Sequence, residues 1–179
     1  MSKTPGIILD MLFFAPAFTA NAAPLILKNF FKRRHPVDFG GFFIDGKRIF
    51  GDNKSWEGFM SGLLFGALTG LALAPLYSRT YIEFTLVGLI EGLSAMVGDL
   101  TNSFLKRRLD LRPGAPLPVL DQTSFIIVTI ALVKAFGIDS IVYTDIGVPE
   151  LMFVVLAALV LHPITNFIAY LLKLKEVPY

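Results

Sequence analysis

Asp99, Ser103 and Lys106 are spaced by four and then three residues, which stacks them on one face of a helix. Arg107, Arg108 and Arg112 follow, and a proline-rich turn through Pro113, Pro116 and Pro118 leads to a second carboxylate, Asp121. Such a set suits chemistry on a chain of phosphates. Magnesium prefers octahedral oxygen coordination and is commonly held by one or two carboxylates together with substrate phosphates. Asp99 ends an apolar run, where an unpaired charge costs about 2.5–3.5 kcal/mol at mid-membrane, so it needs a partner. Asp99 and Asp121 are therefore read as ligands of Mg2+. Lys106 and Arg107 are read as the catalytic cations, and Ser103, Arg108 and Arg112 as phosphate-binding groups. The competing reading makes the cations a membrane anchor and Asp99 the partner of a neighbouring arginine.

A second polar stretch, Asp38 to Gly58, mixes glycines, cations and aromatics. Glycine lets backbone amides approach phosphate, and Lys54-Ser55 resembles the lysine-plus-hydroxyl pairing of nucleotide sites. The spacing is not that of a P-loop. Lys47, Asn53, Lys54 and Ser55 are assigned here to substrate binding, with Ser55 also able to cap the helix that follows, in competition with Asp52 and Asn53. A loop resting on anionic headgroups is the plainer alternative. Asn21, an intramembrane amide near Pro24, is a further substrate-binding candidate. Glu91, two helical turns before Asp99, either extends a polar cavity inward or bonds to another helix.

Those residues must be positioned by a membrane protein. The 179 residues are 54% hydrophobic, above the usual soluble range. Their mean hydropathy is +0.65. There are no cysteines and only two histidines, which excludes disulfides and thiolate metal sites and leaves a hard, oxygen-held cation. The pattern predicts an all-α polytopic protein, a single domain over 1–179. Its five transmembrane helices fall near 6–31, 55–77, 81–105, 122–138 and 148–172. Pro16 and Pro24 should break the first, and Pro163 the last. Gly58, Gly62, Gly66 and Gly70 form a stripe suited to close helix packing, within the chain or in a homo-oligomer.

Lys32, Arg33, Arg34, Lys47, Arg48 and Lys54 lie in the 32–54 loop, and Lys106, Arg107, Arg108 and Arg112 in the 106–121 loop. The opposite side has only Lys3 and Arg79. The positive-inside rule puts both long loops and the C-terminus in the cytoplasm and the N-terminus outside, in a cell membrane.

The run Gly98-Asp99, Ser103, Lys106-Arg107, then Pro113-Gly114, Pro118 and Asp121-Gln122, resembles the signature of the membrane CTP-transferases that make CDP-activated lipids. With Gly51-Asp52-Asn53-Lys54-Ser55-Trp56 in the first loop, it is similar to the small five-span archaeal branch over nearly the whole chain. Bacterial and eukaryotic members carry His-Gly-Gly before the last aspartate, where this chain has Pro118-Val119-Leu120. The resemblance implies transfer of CMP from CTP to an isoprenoid ether-lipid phosphate drawn from the inner leaflet, with no nucleic-acid partner. A small anion transporter is the alternative class. The lack of an internal repeat and the nearly bare outer half weigh against it.

Overall fold

The computed structural model describes residues 7–27, 29–31, 33–112, 114–141 and 146–175. Lys3, Lys32 and Pro113 lie outside the described residues, as do 142–145 of the turn before the last helix. The described chain is helical, in the order α1 (Ile7–Phe13), α2 (Ala15–Ile26), α3 (Trp56–Leu73), α4 (Tyr81–Arg108), α5 (Leu120–Ala135) and α6 (Val148–Leu171). Short 3-10 turns follow α3 and α5. Among the described residues the first loop holds two isolated bridges, Pro36 to Ser55 and Phe42 to Arg48.

Among the described residues, three stretches are long and apolar enough to cross a membrane: Trp56–Tyr77, Tyr81–Arg108 and Val148–Leu171. The other two expected spans take different forms. The first is two helices that meet at Phe14, with Pro16 in the first turn of α2 and Pro24 inside it. Proline is well suited to the first turn of a helix, where its missing N–H costs nothing, so the expected break at Pro16 falls just before it, at Phe14, while α2 runs on through Pro24. α5 has 16 residues, or about 24 Å of helix. α6 runs unbroken through Pro163.

α4 is the central element, packed against α2, α3 and α5. Thr80 and Glu83 start it with a reciprocal capping box. Lys106, Arg107 and Arg108 end it, where cations suit the helix dipole. Gly66 and Gly70 of α3 lie against Gly88 and Gly92 of α4 so closely that a Cβ on Gly66 would come within 2.6 Å of the Gly88 carbonyl. The glycine stripe thus packs within the chain. Phe13, Phe14, Ala17, Phe84, Ile126 and Val133 fill the core around α4.

Candidate active site

The site forms where the first loop and the turn before α5 meet the end of α4. Asp99, Asn102, Ser103, Lys106 and Arg107 lie along one side of that helix and line a cavity of about 380 Å³. The first loop adds Gly51, Asn53 and Lys54, and the start of α5 adds Asp121 and Gln122. His162, Asn166 and Lys175 close the cavity from the α6 side.

Each carboxylate is held by a lysine. Lys54 Nζ donates to Asp99 Oδ2 at 2.5 Å. Lys106 Nζ lies 2.6 Å from Asp121 Oδ1 and 2.7 Å from Oδ2. Asn102 Nδ2 donates to Asp121 at 2.6 Å, and the Leu117 amide donates at 2.8 Å. Asp121 is delivered by a strained turn. Val119 has φ 68° and ψ −57°, and the Leu120 amide closes on Pro118 O at 2.8 Å. A β-branched residue held there costs of order 1–3 kcal/mol.

The first loop is organised by Asp38, whose side chain is fully buried. It accepts from the amides of Gly40, Phe50 and Gly51 and from the Arg48 guanidinium. Burial raises its pKa, yet these donors prevail and the carboxyl stays far below the usual carboxylate range. Ser55 caps α3, its hydroxyl accepting from the Gly58 amide at 3.2 Å.

Of the residues expected from the sequence, Asp99, Asp121, Ser103, Lys106, Arg107, Asn53 and Lys54 come together in the cavity. Ser55 lines a smaller recess behind Lys54. Asn21 lines an apolar groove of about 240 Å³ that shares His162 and Asn166 with the cavity. Lys47 points elsewhere, donating to Asp110 at 2.7 Å. Arg108 lies between Phe43 and Phe104, 5.0 and 4.6 Å from the ring centroids, and donates to Arg48 O. Arg112 is exposed and does not line the cavity. Glu91 is fully buried, away from the cavity, with its carboxyl facing the backbone of α2 at Ala17.

Asn102 was not singled out by spacing. Its Oδ1 is buried and lacks a partner, on a cavity wall that also carries two carboxylates. Among the described residues no three His, Cys, Asp or Glu side chains cluster as a metal cage. Two carboxylates with an orphaned amide oxygen instead fit magnesium held jointly by protein and phosphate.

A helical membrane fold with a cationic, carboxylate-bearing cavity at its helix ends defines an intramembrane enzyme of phosphate chemistry. Residues 5–179 match the family model described as CarS-like: CDP-archaeol synthase. The chain is 35% identical to the CDP-archaeol synthase of Sulfolobus acidocaldarius over 97% of its own length and 99% of that protein. It is 39% identical to that of Pyrobaculum islandicum over 96% of this chain and 100% of the relative. A solved structure, described as an intramembrane enzyme for archaeal membrane lipids biosynthesis, superposes with a TM-score of 0.76 at 30% identity, covering 90% of this chain and 94% of that one. The chain belongs to the CDP-archaeol synthase family and is a nucleotidyltransferase.

Proposed function

We propose that the cavity binds CTP and transfers its CMP to the phosphate of an unsaturated, archaeol-type isoprenoid ether lipid, releasing pyrophosphate and CDP-archaeol. The observation that carries this reading is the pair of lysine–carboxylate contacts, Lys54 with Asp99 and Lys106 with Asp121, in one cavity. Each pair can exchange partners: the carboxylates turn to a cation and the ammonium groups to phosphate oxygens. Mg2+ held by Asp99 and Asp121 would neutralise charge building on the triphosphate.

The acceptor phosphate is already anionic near neutral pH and needs no general base. Its oxygen attacks the α-phosphorus of CTP, the bond from that phosphorus to the bridging oxygen breaks, and pyrophosphate leaves with the electron pair. Lys54, Lys106 and Arg107 align the phosphates and balance their charge, which is most of what phosphoryl-type transfer requires. Asn53 and Ser103 supply neutral donors on the same wall.

In this reading the protein has five spans, with the N-terminus outside and the C-terminus in the cytoplasm. α1 and α2 together count as one, their 20 residues from Ile7 to Ile26 reaching about 30 Å. α5 is the short fifth span. The lipid enters sideways along the groove between α2, α5 and α6, whose lining of Phe18, Leu25, Phe125 and Leu161 suits isoprenoid chains. Asn166 and His162 stand where that groove joins the cavity.

The test is acceptor choice. Purified protein with magnesium and CTP should cytidylylate the long-chain lipid phosphate and leave soluble glycerol 1-phosphate unreacted, since each buried CH₂ contributes about 0.8 kcal/mol to localisation. Equal rates with both acceptors would sink lateral entry.

A further inference from the structure

The turn at the tip of the first loop is unusual for a segment outside the helices. Phe39 is 79% exposed, Phe42 67% and Ile44 94%. Phe39 also holds a left-handed backbone, φ 49°, an outlier for a bulky side chain that keeps its ring outward. The carboxylates of this turn are paired: the buried Asp38 with Arg48, and the more exposed Asp45 with Arg108. The tip is therefore apolar with its charges paired.

Its surroundings identify what covers it. The Phe39 ring lies 6.1 Å from that of Trp56, at the start of α3. From there Trp56, Met60, Leu64 and Leu68 form an outward stripe at four-residue spacing, 38–58% exposed, down a helix long enough to span a bilayer. On the other side Phe43 packs edge-on against Phe104, 5.2 Å away, in the last turns of α4. The turn thus bridges the ends of two membrane-crossing helices and prolongs their lipid-facing surface. Tryptophan is enriched at that depth in membrane proteins, and interfacial segments bury Trp, Phe and Leu side chains in the headgroup–acyl boundary.

We propose that residues 39–44 form a membrane-interface foot, with Phe39, Phe42 and Ile44 inserted into the headgroup–acyl boundary of the leaflet on the cavity's side. Through Asp38, which ties the turn to the amides of Phe50 and Gly51, the foot fixes the height of the wall that carries Lys54. The inference concerns the bilayer alone and holds or fails whichever acceptor the cavity takes.

The chain has no cysteine, so single nitroxide labels can be placed without background. Labels at Ile44→Cys and, independently, Phe42→Cys would be read in proteoliposomes of mixed neutral and anionic phospholipid. Leu68→Cys gives the lipid-facing reference and Asp110→Cys the aqueous one. The foot predicts that both tip labels collide more often with dissolved oxygen than with an aqueous nickel chelate, shifted from Asp110 toward Leu68. Accessibility matching Asp110 overturns the proposal. So does protection from both reagents, which would mean that a second copy of the chain covers the turn.

Discussion

Gly88→Ala tests how the helix seam governs the site. A Cβ at Gly88 would stand 2.3 Å from the Gly66 carbonyl oxygen and 2.9 Å from Gly70 Cα, both backbone atoms. Restoring ordinary contact requires α3 and α4 to part by about 1 Å. Overpacking of this kind costs ~1–3 kcal/mol, which for a chain of this size lowers the melting temperature by about 2–12 °C. The same movement reaches the chemistry, because Lys54 directly precedes the Ser55 cap of α3 while Asp99 rides on α4. A misplacement of ~1 Å can cost about 10²-fold in rate. Gly70→Ala meets the Phe84 carbonyl at 2.2 Å and should behave alike. Gly62→Ala is the control: the atoms nearest its Cβ all belong to the flexible side chain of Met96 rather than to backbone. Thermal unfolding in detergent, paired with turnover of CTP, gives the ranking. Wild-type stability and rate in Gly88→Ala, or a larger loss in Gly62→Ala, would refute the reasoning.

Lys54→Ala, Lys106→Ala and Arg107→Ala should each weaken CTP or transition-state binding by ~1.5–3 kcal/mol, about 10- to 150-fold; normal activity in whatever protein inserts would leave these cations a purely topological role. Asp38 has a depressed pKa, so its stabilisation is complete above the ordinary carboxylate value near ~4 and disappears as pH falls through the lower folded value. Asp38→Asn should therefore lower the melting temperature at neutral pH and flatten its fall on the acid side, as followed by scanning calorimetry; an acid limb identical to wild type would rule out that role. Val119→Gly should relieve the strained turn before Asp121 and raise the melting temperature by a few degrees, corresponding to about 1 kcal/mol; no change would show that the turn is unstrained.

The chemistry of α4 was legible because helical periodicity alone groups Asp99, Ser103 and Lys106, and the structure puts all three on the cavity. Ser55 as a cap was legible from its type and place before an apolar run. Asn102 was not, because a helical asparagine by itself reads as an interhelical bond, and only its orphaned Oδ1 beside Asp121 marks it. Arg108 misled in the other direction. Its neighbours in sequence are cations, while its neighbours in space, Phe43 and Asp45, come from a loop some sixty residues earlier. The glycine stripe on α3 was visible, but its counterpart at Gly88 and Gly92 has meaning only once the two helices are paired. Pro16 did signal that the first span divides, and the division falls just before it, at Phe14, whereas Pro24 lies inside α2 without ending it.

The most direct test follows the label. CTP carrying radioactivity in either its α- or its γ-phosphate is incubated with the purified protein, magnesium and the unsaturated archaeol-type lipid phosphate. The α-label should pass into the lipid fraction and the γ-label into pyrophosphate, in equal amounts. Both signals should vanish in Asp99→Asn and Asp121→Asn, variants that keep the side-chain shape and a folded protein but lose the anionic ligand. Appearance of γ-label in the lipid, or near-normal transfer by either variant at saturating magnesium, would contradict cytidylyl transfer at this pair of carboxylates.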